Sequence, residues 1–213
     1  VLNPSWLIFG AGFRRDHLRL ASERALDLFA CVVLLLLVWP FMLLTAVAIM
    51  LEDGINAPVF YRQTRVGFRG KNFQVVKFRS MRVDAEKAGA QWAQANDTRV
   101  TRVGAIVRKL RIDELPQLLN VLRGDMSFVG PRPERPEFVA NLSAQIPYYQ
   151  ERHFVKPGIT GWAQVCYPYG ASEIDAAEKL QYDLYYVKNH SLLFDIMILL
   201  QTAEVVVLGK GAR

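Results

Sequence analysis

The sequence predicts a mainly helical α+β fold that is seated in a membrane. Three features predict it: an uncharged apolar segment, two short runs of β-branched and aromatic residues behind it, and several later stretches with helical periodicity. We expect a re-entrant membrane helix, a small β-hairpin at roughly 59–63 and 73–78, and several amphipathic helices at the membrane interface. Helical patterns lie at about 85–95, 102–110 and 114–121 and in the stretches PEFVANLSAQI and DAAEKLQYDLYYVKNH, and they are separated by the glycine- and proline-rich loops GDMSFVGPRPERP and VKPGITGWAQVCYPYGAS. At 213 residues, the chain is long enough for one domain with its own core.

The apolar segment runs from Leu28 to Leu51 without a charge. As a helix it would extend roughly 36 Å, which is enough to span a bilayer. Pro40 lies at its midpoint, where proline removes a backbone hydrogen bond and bends a helix. Basic residues, which tend to stay in the cytoplasm, flank it on both sides: Arg14, Arg15, Arg19 and Arg24 before, and Arg62, Arg65, Arg69 and Lys71 after. These features favour a re-entrant helical hairpin broken at Pro40, and the alternative is a straight transmembrane anchor.

We divide the chain into three parts. Residues 1–19 form an N-terminal segment, and the start at Val1 rather than at a methionine suggests a truncated linker. Residues 20–56 form the re-entrant membrane helix, and residues 57–213 form the domain that follows it. The domain ends in an apolar stretch that Asp195 and Glu204 interrupt, which is typical of an amphipathic helix lying on the membrane or on the core, with Gly209 as its stop signal.

Charge and cysteine content limit the function classes. A net charge of +6 predicts an anionic partner, which is nucleic acid, an acidic membrane surface or a phosphorylated small molecule. The only cysteines are Cys31 and Cys166, so a disulfide framework is not expected. Histidine and cysteine spacings typical of zinc sites do not occur.

The stretch RKLRIDELPQLLN places two acids, Asp113 and Glu114, beside several basic residues. Since proline is tolerated only in the first turn of a helix, Pro116 predicts a helix that starts near this pair, where free amides favour anions. One interpretation is structural, with Asp113 as the N-cap and Glu114 as a first-turn acid. The other is chemical: the acids hold Mg²⁺ while nearby arginines such as Arg108 bind phosphate, or one acid attacks phosphorus.

Two further basic stretches are candidates for substrate binding. In GPRPERP, Pro131 and Pro133 restrict the backbone on both sides of Arg132, which predicts a stiffly mounted guanidinium. The alternative is a surface polyproline turn. In KFRSM, Lys77 and Arg79 lie on one face of a predicted strand, and both are equally compatible with edge-strand charges that deter aggregation.

These stretches together resemble one family. RQTRVGFRGKNFQVVKFRSM, TRVGAIVRKLRIDELPQLLNVLRGDMSFVGPRPERP and KPGITGWAQV follow in this order behind the proline-containing apolar segment. They resemble the bacterial sugar transferases that act as polyprenyl-phosphate glycosyl-1-phosphate transferases, the monotopic phosphoglycosyl transferases. The resemblance runs from about Arg19 to the C-terminus. One departure is Trp39 before Pro40, where many small members carry a serine.

The resemblance implies a location and a reaction. Members embed one re-entrant helix in the inner leaflet of the bacterial inner membrane, with the catalytic domain facing the cytoplasm. They transfer a sugar 1-phosphate from a UDP-sugar to undecaprenyl phosphate, release UMP and need Mg²⁺. The C-terminal stretch resembles the branch that initiates exopolysaccharide or O-antigen assembly, and hence lipopolysaccharide biosynthesis.

The resemblance also implies residue roles. Asp113 matches the nucleophile that carries a covalent phosphoglycosyl group, and Glu114 matches its acidic partner near the metal, so both are expected as Mg²⁺ ligands. Arg108 matches a phosphate-binding arginine. Arg132, between Pro131 and Pro133, matches a residue of nucleotide recognition. We add the two basic residues of the strand, Lys77 and Arg79, to the substrate-binding set.

Two rival functions come from other classes. A membrane-bound, Mg²⁺-dependent hydrolase would use the same acids to activate water. A membrane-anchored binding module would dock its basic face on nucleic acid or anionic lipid. We expect no nucleic-acid partner, because aromatic residues are not interleaved with the basic ones as a stacking platform requires. The identity of the sugar and the formation of homo-oligomers stay open.

Overall fold

The computed structural model describes residues 17–85, 97–167 and 173–207. This part of the chain is mainly helical, as predicted. In chain order its elements are α1 (His17–Asp53), β1 (Phe60–Val66), β2 (Asn72–Phe78), α2 (Arg102–Lys109), α3 (Leu118–Arg123), β3 (Ser127–Val129), α4 (Pro136–Gln145), β4 (Gly158–Thr160), α5 (Trp162–Cys166), α6 (Glu173–Asn189) and α7 (Leu192–Val207). Short 3-10 helices cover Phe68–Gly70, Ile112–Gln117 and Tyr149–Phe154.

Helix α1 contains the whole apolar segment. It is 37 residues long, and the stretch Leu20–Asp53 is long and apolar enough to cross a membrane, by length and composition. The predicted break at Pro40 is not confirmed, because the helix continues through this residue. Proline removes only one helical hydrogen bond, and the bonds of the neighbouring turns hold the helix together on both sides.

One stripe of α1 packs on the rest of the protein. Cys31 belongs to a buried cluster with residues of α3, α6 and α7, and Ile49 belongs to a second cluster with Phe78 of β2 and Val107 of α2. The stripe residues recur every three or four positions, which places them on one helical face: Cys31, Leu35, Val38, Met42, Ala46 and Ile49. The contacts therefore lie on both sides of Pro40.

Polar groups fix the first turns of α1 to the body that the other elements form. The Arg24 guanidinium donates hydrogen bonds to the carbonyl oxygens of Val121 and Leu122, at 2.5 and 2.6 Å. These carbonyls belong to the last turn of α3, where backbone acceptors lack helical partners. The carboxylate of Asp27 accepts a hydrogen bond of 3.1 Å from the backbone N–H of Phe128. The start of the apolar helix is thus attached to this body.

The last turn of α1 is attached to the same body. The Glu52 carboxylate accepts hydrogen bonds from the backbone N–H groups of Arg102 and Val103, at 2.8 and 3.0 Å. These N–H groups open α2 and have no partner within that helix. The Asp53 carboxylate forms an ion pair of 2.9 Å with Arg79, directly after β2. Both polar ends of α1 therefore lie on one body.

The predicted β-hairpin is confirmed, with slightly longer strands. β1 and β2 pair antiparallel, with Phe60 opposite Phe78 and Val66 opposite Asn72. A second sheet, between β3 and β4, is parallel, although the sequence predicts loops at these positions. The two segments approach closely because a glycine follows β3 and another begins β4: a Cβ atom on Gly158 would lie 2.2 Å from the backbone nitrogen of Gly130.

Most of the predicted helices are also confirmed. The predicted helix from Arg102 to Leu110 matches α2, and those predicted in the later stretches match α4, α6 and α7. Helix α7 packs one face on the core through Ile198, which is fully buried, and exposes Leu193 and Leu200 on the other. The helix predicted over 85–95 and the stop signal at Gly209 lie outside the described residues, apart from Ala85. Cys31 and Cys166 are both free.

Candidate active site

A sharp turn presents the two acids. Arg111 has a left-handed backbone with φ of 58° and is the N-cap of the 3-10 helix Ile112–Gln117. The prediction that Asp113 is the N-cap is therefore wrong, because the chain reverses two residues earlier than expected. Asp113 and Glu114 both lie in the first turn of the 3-10 helix, which packs beside β2. Pro116 lies in this short helix and ahead of α3, where its missing N–H costs little.

Glu114 is held by two cations. Its Oε1 atom accepts hydrogen bonds from Lys77 Nζ at 3.0 Å and from the Arg132 guanidinium at 2.7 Å. Burial alone would raise the pKa of Glu114, but Arg132 and Lys77 outweigh burial and hold this pKa well below its usual range. Glu114 is therefore an ionised carboxylate whose charge is already balanced by protein groups.

Asp113 has the opposite surroundings. Its Oδ1 atom is buried and finds no hydrogen-bond partner in the described part of the chain. Burial, and next the charge of Glu114, raise the pKa of Asp113 above its usual value. A buried carboxylate oxygen without a partner is costly, and such atoms call for an explanation such as catalysis or a bound ion. Asp113 is therefore the acid of the pair whose carboxylate keeps an oxygen without a protein partner.

Lys77 reaches Glu114 because α3 holds β2 in register. The fully buried Asn120 donates from Nδ2 to the carbonyl oxygen of Gln74 at 2.7 Å, and its Oδ1 accepts from the backbone N–H of Val76 at 3.1 Å. These two bonds imitate the pairing of a neighbouring strand. Since Lys77 follows Val76 directly, Asn120 fixes the position of the ammonium group beside Glu114.

Arg132 is mounted on a segment whose backbone carbonyl oxygens are all bonded. Each carbonyl oxygen from residue 131 to 134 accepts a hydrogen bond, and the donors belong to three elements: β1, β4 and the 3-10 helix Tyr149–Phe154. The pairs are Pro131 with the Gly158 N–H at 3.1 Å, Arg132 with the Arg152 guanidinium at 2.9 Å, Pro133 with the Arg65 guanidinium at 3.0 Å, and Glu134 with the Val66 N–H at 2.9 Å. The segment is therefore attached to the body of the fold rather than being a free surface turn.

Lys77 and Arg79 do not share a target. Arg79 is buried and pairs with Asp53 of α1, while its Nε and one terminal nitrogen find no hydrogen-bond partner among the described residues. Lys77 alone joins the acid pair directly. Lys77 thus links β2 to the acid pair, whereas Arg79, two residues later, links the end of β2 to α1.

Arg108 lies in the last turn of α2, close to the acids. After burial and Glu114, which raise the pKa of Asp113, the charge of Arg108 is among those that lower it. Its guanidinium makes no hydrogen bond or ion pair within the parts of the chain that the structure describes. Arg108 therefore has donors available for an anion beside Asp113.

The residues present could supply only part of the ligands that a Mg²⁺ ion needs. The described residues contain no group of three or more acids, histidines or cysteines arranged around one point. Mg²⁺ usually binds through one or two carboxylates together with substrate phosphates and water. The unpartnered Oδ1 of Asp113 suits this role, whereas Oε1 of Glu114 is occupied by Lys77 and Arg132.

Several residues that build the site are absent from the predictions made on sequence alone. They are Glu52, Asp53, Asn120, Arg152 and Asp183. The sequence contains a signal that could have revealed Asp183, because this acid interrupts the apolar face of the predicted helix beside the buried Leu180 and Leu184. Asn120 offers none, since its partners are about forty residues away and follow no periodic pattern.

Comparisons with known proteins place this geometry in a family context. A family model described as bacterial sugar transferase matches residues 18–209. The UDP-N-acetylgalactosamine-undecaprenyl-phosphate N-acetylgalactosaminephosphotransferase of Aeromonas hydrophila is 50% identical over 90% of this chain and 45% of its own length. The UDP-glucose:undecaprenyl-phosphate glucose-1-phosphate transferase of Xanthomonas campestris pv. campestris is 44% identical over 93% of this chain and 41% of its own length.

A third relative has nearly the same length as the matched region. The exopolysaccharide production protein PSS of Rhizobium leguminosarum bv. phaseoli is 41% identical over 90% of this chain and 98% of its own length. The chain spans less than half the length of the Aeromonas and Xanthomonas relatives.

Proposed function

Because the chain belongs to the bacterial sugar transferase family, we propose that it transfers a sugar 1-phosphate from a UDP-sugar to undecaprenyl phosphate and releases UMP. The observation that carries this proposal is the divided acid pair, in which Glu114 is held by two cations while Asp113 keeps a buried oxygen without a partner. The names of the relatives support the substrate classes, but they differ in the sugar.

The first half of the reaction uses Asp113 as the nucleophile. A carboxylate oxygen of Asp113 attacks the phosphorus of UDP-sugar that bears the sugar. The bond from this phosphorus to the oxygen bridging the two phosphates breaks, and UMP leaves with the electron pair. The sugar phosphate is then bound to Asp113 as an acyl phosphate. A raised pKa makes the ionised Asp113 carboxylate a more basic and therefore stronger nucleophile.

The second half restores the enzyme. A phosphate oxygen of undecaprenyl phosphate attacks the same phosphorus, and the bond to Asp113 breaks, so that the aspartate regains its carboxylate. The product is a sugar linked to the lipid through a diphosphate. Because UMP leaves before the lipid phosphate enters, one compact site serves both substrates in turn.

Cationic residues stabilise the charge on the transferred group. Arg132 pairs with Glu114 through one terminal nitrogen, and its side chain is 38% exposed, so its other donors can bind a phosphate of the nucleotide. Arg108 can bind a second phosphate oxygen next to Asp113. Lys77 keeps Glu114 ionised. Arg79 has N–H groups without a partner, but they are buried beside its ion pair with Asp53, so contact with substrate would require this region to move.

We include Mg²⁺ in the proposal, with Asp113 as its main protein ligand. Glu114, the second ligand that the resemblance implies, would have to use its other oxygen, because Oε1 is occupied by Lys77 and Arg132. When bound, the ion would neutralise phosphate charge and assist departure of UMP. The unpartnered oxygen of Asp113 supports this assignment.

We further propose that α1 lies in one leaflet and does not cross the membrane. Both polar ends of α1 bond to one body, and its central stripe packs on that body, so the helix follows the protein surface. Its other face is apolar and more than half exposed, including Phe29, Leu36, Leu37, Trp39, Phe41 and Leu44. The bend at Pro40 stays a prediction.

Two further helices present exposed apolar residues beside α1. Ile106 and Leu110, at the end of α2, are exposed among basic residues, and Leu193 and Leu200 are exposed on α7. Such mixed faces suit the interface of an anionic membrane. We place the protein at the bacterial inner membrane with its catalytic domain facing the cytoplasm, where it initiates exopolysaccharide, O-antigen or lipopolysaccharide assembly.

The decisive assay measures UMP formation with a panel of UDP-sugars, with and without undecaprenyl phosphate and Mg²⁺. Asp113→Asn should lower turnover by roughly 10³-fold or more, because an amide cannot form the acyl phosphate. Glu137→Gln is the matched control, since Glu137 is an exposed acid in the first turn of α4. Appreciable turnover by Asp113→Asn would refute the assigned nucleophile.

A trapping experiment separates transfer from hydrolysis. With a UDP-sugar labelled in the sugar and no lipid acceptor, the wild type should retain label on the denatured protein and release one UMP per enzyme. Addition of undecaprenyl phosphate should remove the label into the lipid fraction. A hydrolase would instead release UMP continuously without the lipid, and that result would overturn the proposal.

A further inference from the structure

We propose that Arg152, held by Asp183, is a positioning residue that fixes Arg132 for recognition of the UDP-sugar. This inference rests on the proposed function, because it assigns to Arg132 the binding of the nucleotide phosphates. Neither Arg152 nor Asp183 contacts the acid pair in the structure. Their effect on the reaction is transmitted through the backbone of Arg132.

Arg152 is a buried guanidinium with three acceptors. One terminal nitrogen donates to the Tyr149 hydroxyl at 2.6 Å, and the other donates to the carbonyl oxygen of Arg132 at 2.9 Å. The second nitrogen also forms an ion pair of 2.7 Å with Asp183 of α6. The guanidinium lies over the Tyr149 ring as well, with 5.1 Å between its carbon and the ring centroid. Its orientation is therefore determined from several sides.

The bond to Arg132 connects three separate elements. Arg152 belongs to the 3-10 helix Tyr149–Phe154, Asp183 belongs to α6, and Arg132 precedes α4. Asp183 is 3% exposed and Arg152 is 6% exposed, so water does not compete for these bonds. A buried ion pair is a poor source of stability, because desolvation offsets the attraction between its charges. Its geometric effect on residue 132 is the better explanation for its presence.

The placement of Arg132 matters because its side chain has two tasks. It pairs with Glu114 and, in the proposed reaction, binds a nucleotide phosphate. Bidentate binding of phosphate by a guanidinium depends on its orientation, and a small displacement of the backbone would misalign it. Loss of the Arg152 bond should therefore weaken binding of the donor more than it slows the chemical step at Asp113.

The test compares variants that remove different contacts of the Arg152 guanidinium. Burial, opposed by Arg152, raises the pKa of Asp183 to about 6, so removing Arg152 alone would leave a carboxylate that is costly to ionise. Arg152→Met combined with Asp183→Asn removes both charges together. Tyr149→Phe is the matched control, because it removes another acceptor of the same guanidinium and keeps the bond to Arg132.

The measured quantities are KM for the UDP-sugar, kcat, and the Kd of UDP by calorimetry. The double variant should raise KM and Kd about tenfold with kcat changed less than about threefold, whereas Tyr149→Phe should stay within about twofold. In an Arg132→Ala background, the double variant should add less than about a further twofold, since it acts through Arg132.

The possible outcomes are distinguishable. An unchanged KM in the folded double variant, or a full additive loss in the Arg132→Ala background, would overturn the inference while leaving the proposed function intact. Absence of UMP release by the wild type with every UDP-sugar would overturn the proposed function instead. If the double variant does not fold, Arg152→Lys decides, because it keeps the charge beside Asp183 but lacks the planar fork. An unchanged KM in this variant would also refute the role of Arg152.

Discussion

At the scale of single residues, the chemistry depends on two neighbouring carboxylates with different surroundings. Glu114 has two cationic partners, and its pKa is lowered, since these partners outweigh its burial. Asp113 is only partly exposed, its Oδ1 atom is buried without a hydrogen bond, and its pKa is raised. When the environment pushes the pKa values of two neighbouring acids apart in this way, it suits them to separate roles. In the proposed reaction, Glu114 organises cations and Asp113 is the group that reacts.

This division predicts a pH effect of Glu114→Gln. Asp113 must be ionised to attack, so UMP release should fall as the pH drops through the pKa of Asp113, at a higher pH than for an ordinary aspartate. Burial and the charge of Glu114 both raise this pKa, and Glu114→Gln removes the second cause while Lys77 and Arg132 remain. The acidic limb of the pH profile of UMP release should therefore move to lower pH in Glu114→Gln.

The measurement is the burst of UMP in a single turnover without lipid, recorded across the acidic range. Omitting the lipid excludes titration of its phosphate from the profile. Glu137→Gln should leave the limb in place, because this acid is exposed on α4, away from the pair. A limb that stays fixed or moves to higher pH in Glu114→Gln would contradict the electrostatic coupling of the two acids.

The sequence predicted the position of the acid pair along the chain better than its geometry. The stretch around Pro116 is sufficient to predict that a helix starts near Asp113 and Glu114, because proline has few permitted positions in a helix. It did not show that Arg111 is the N-cap, since a left-handed arginine has no characteristic pattern. Nor did alternation along β2 show that Lys77 and Arg79 have different partners.

At the scale of elements, the site depends on how α3 is joined to β2. Asn120 replaces a neighbouring strand by bonding to the backbone of Gln74 and Val76. Asn120→Ala should lower the free energy of unfolding by about 2–4 kcal/mol, because two buried backbone groups lose their partners. It should also lower UMP release, since Lys77 is no longer fixed beside Glu114.

Thermal and denaturant unfolding of the purified protein in one detergent would measure this loss. Asn141→Ala is the control, because Asn141 is an exposed position of α4 where the same substitution removes no buried bond. Equal stability of the Asn120 and Asn141 variants would show that the contact between α3 and β2 is not required.

Local patterns were sufficient for the hairpin and for most helices, but not for the parallel pair β3 and β4. The hairpin strands are close in sequence and have alternating patterns, whereas β3 and β4 are three residues each and about thirty residues apart. Their pairing depends on the close backbone approach at Gly130 and Gly158. This approach mounts Arg132, and no local propensity encodes it.

At the scale of the whole molecule, the arrangement of α1 determines where the site lies relative to the lipid. Arg24 and Asp27 bind the body at one end of the helix, and Glu52 and Asp53 bind it at the other. A helix that crossed the bilayer would separate these ends by the whole membrane thickness. If α1 lies in one leaflet, as proposed, the acid pair stays close to the interface, where the phosphate of a polyprenyl lipid would lie.

This arrangement predicts the result of labelling with a membrane-impermeant maleimide. In a Cys166→Ala background, single cysteines at Ala21, Ile55 and Ile174 should all react in inverted inner-membrane vesicles and none in intact spheroplasts, because these exposed positions lie on the cytoplasmic side. A cysteine at Leu37, on the exposed apolar face, should be protected from both sides by lipid. Reaction of the Ala21 and Ile55 positions from opposite sides would show that α1 crosses the membrane, and the acid pair would then need another route to the lipid phosphate.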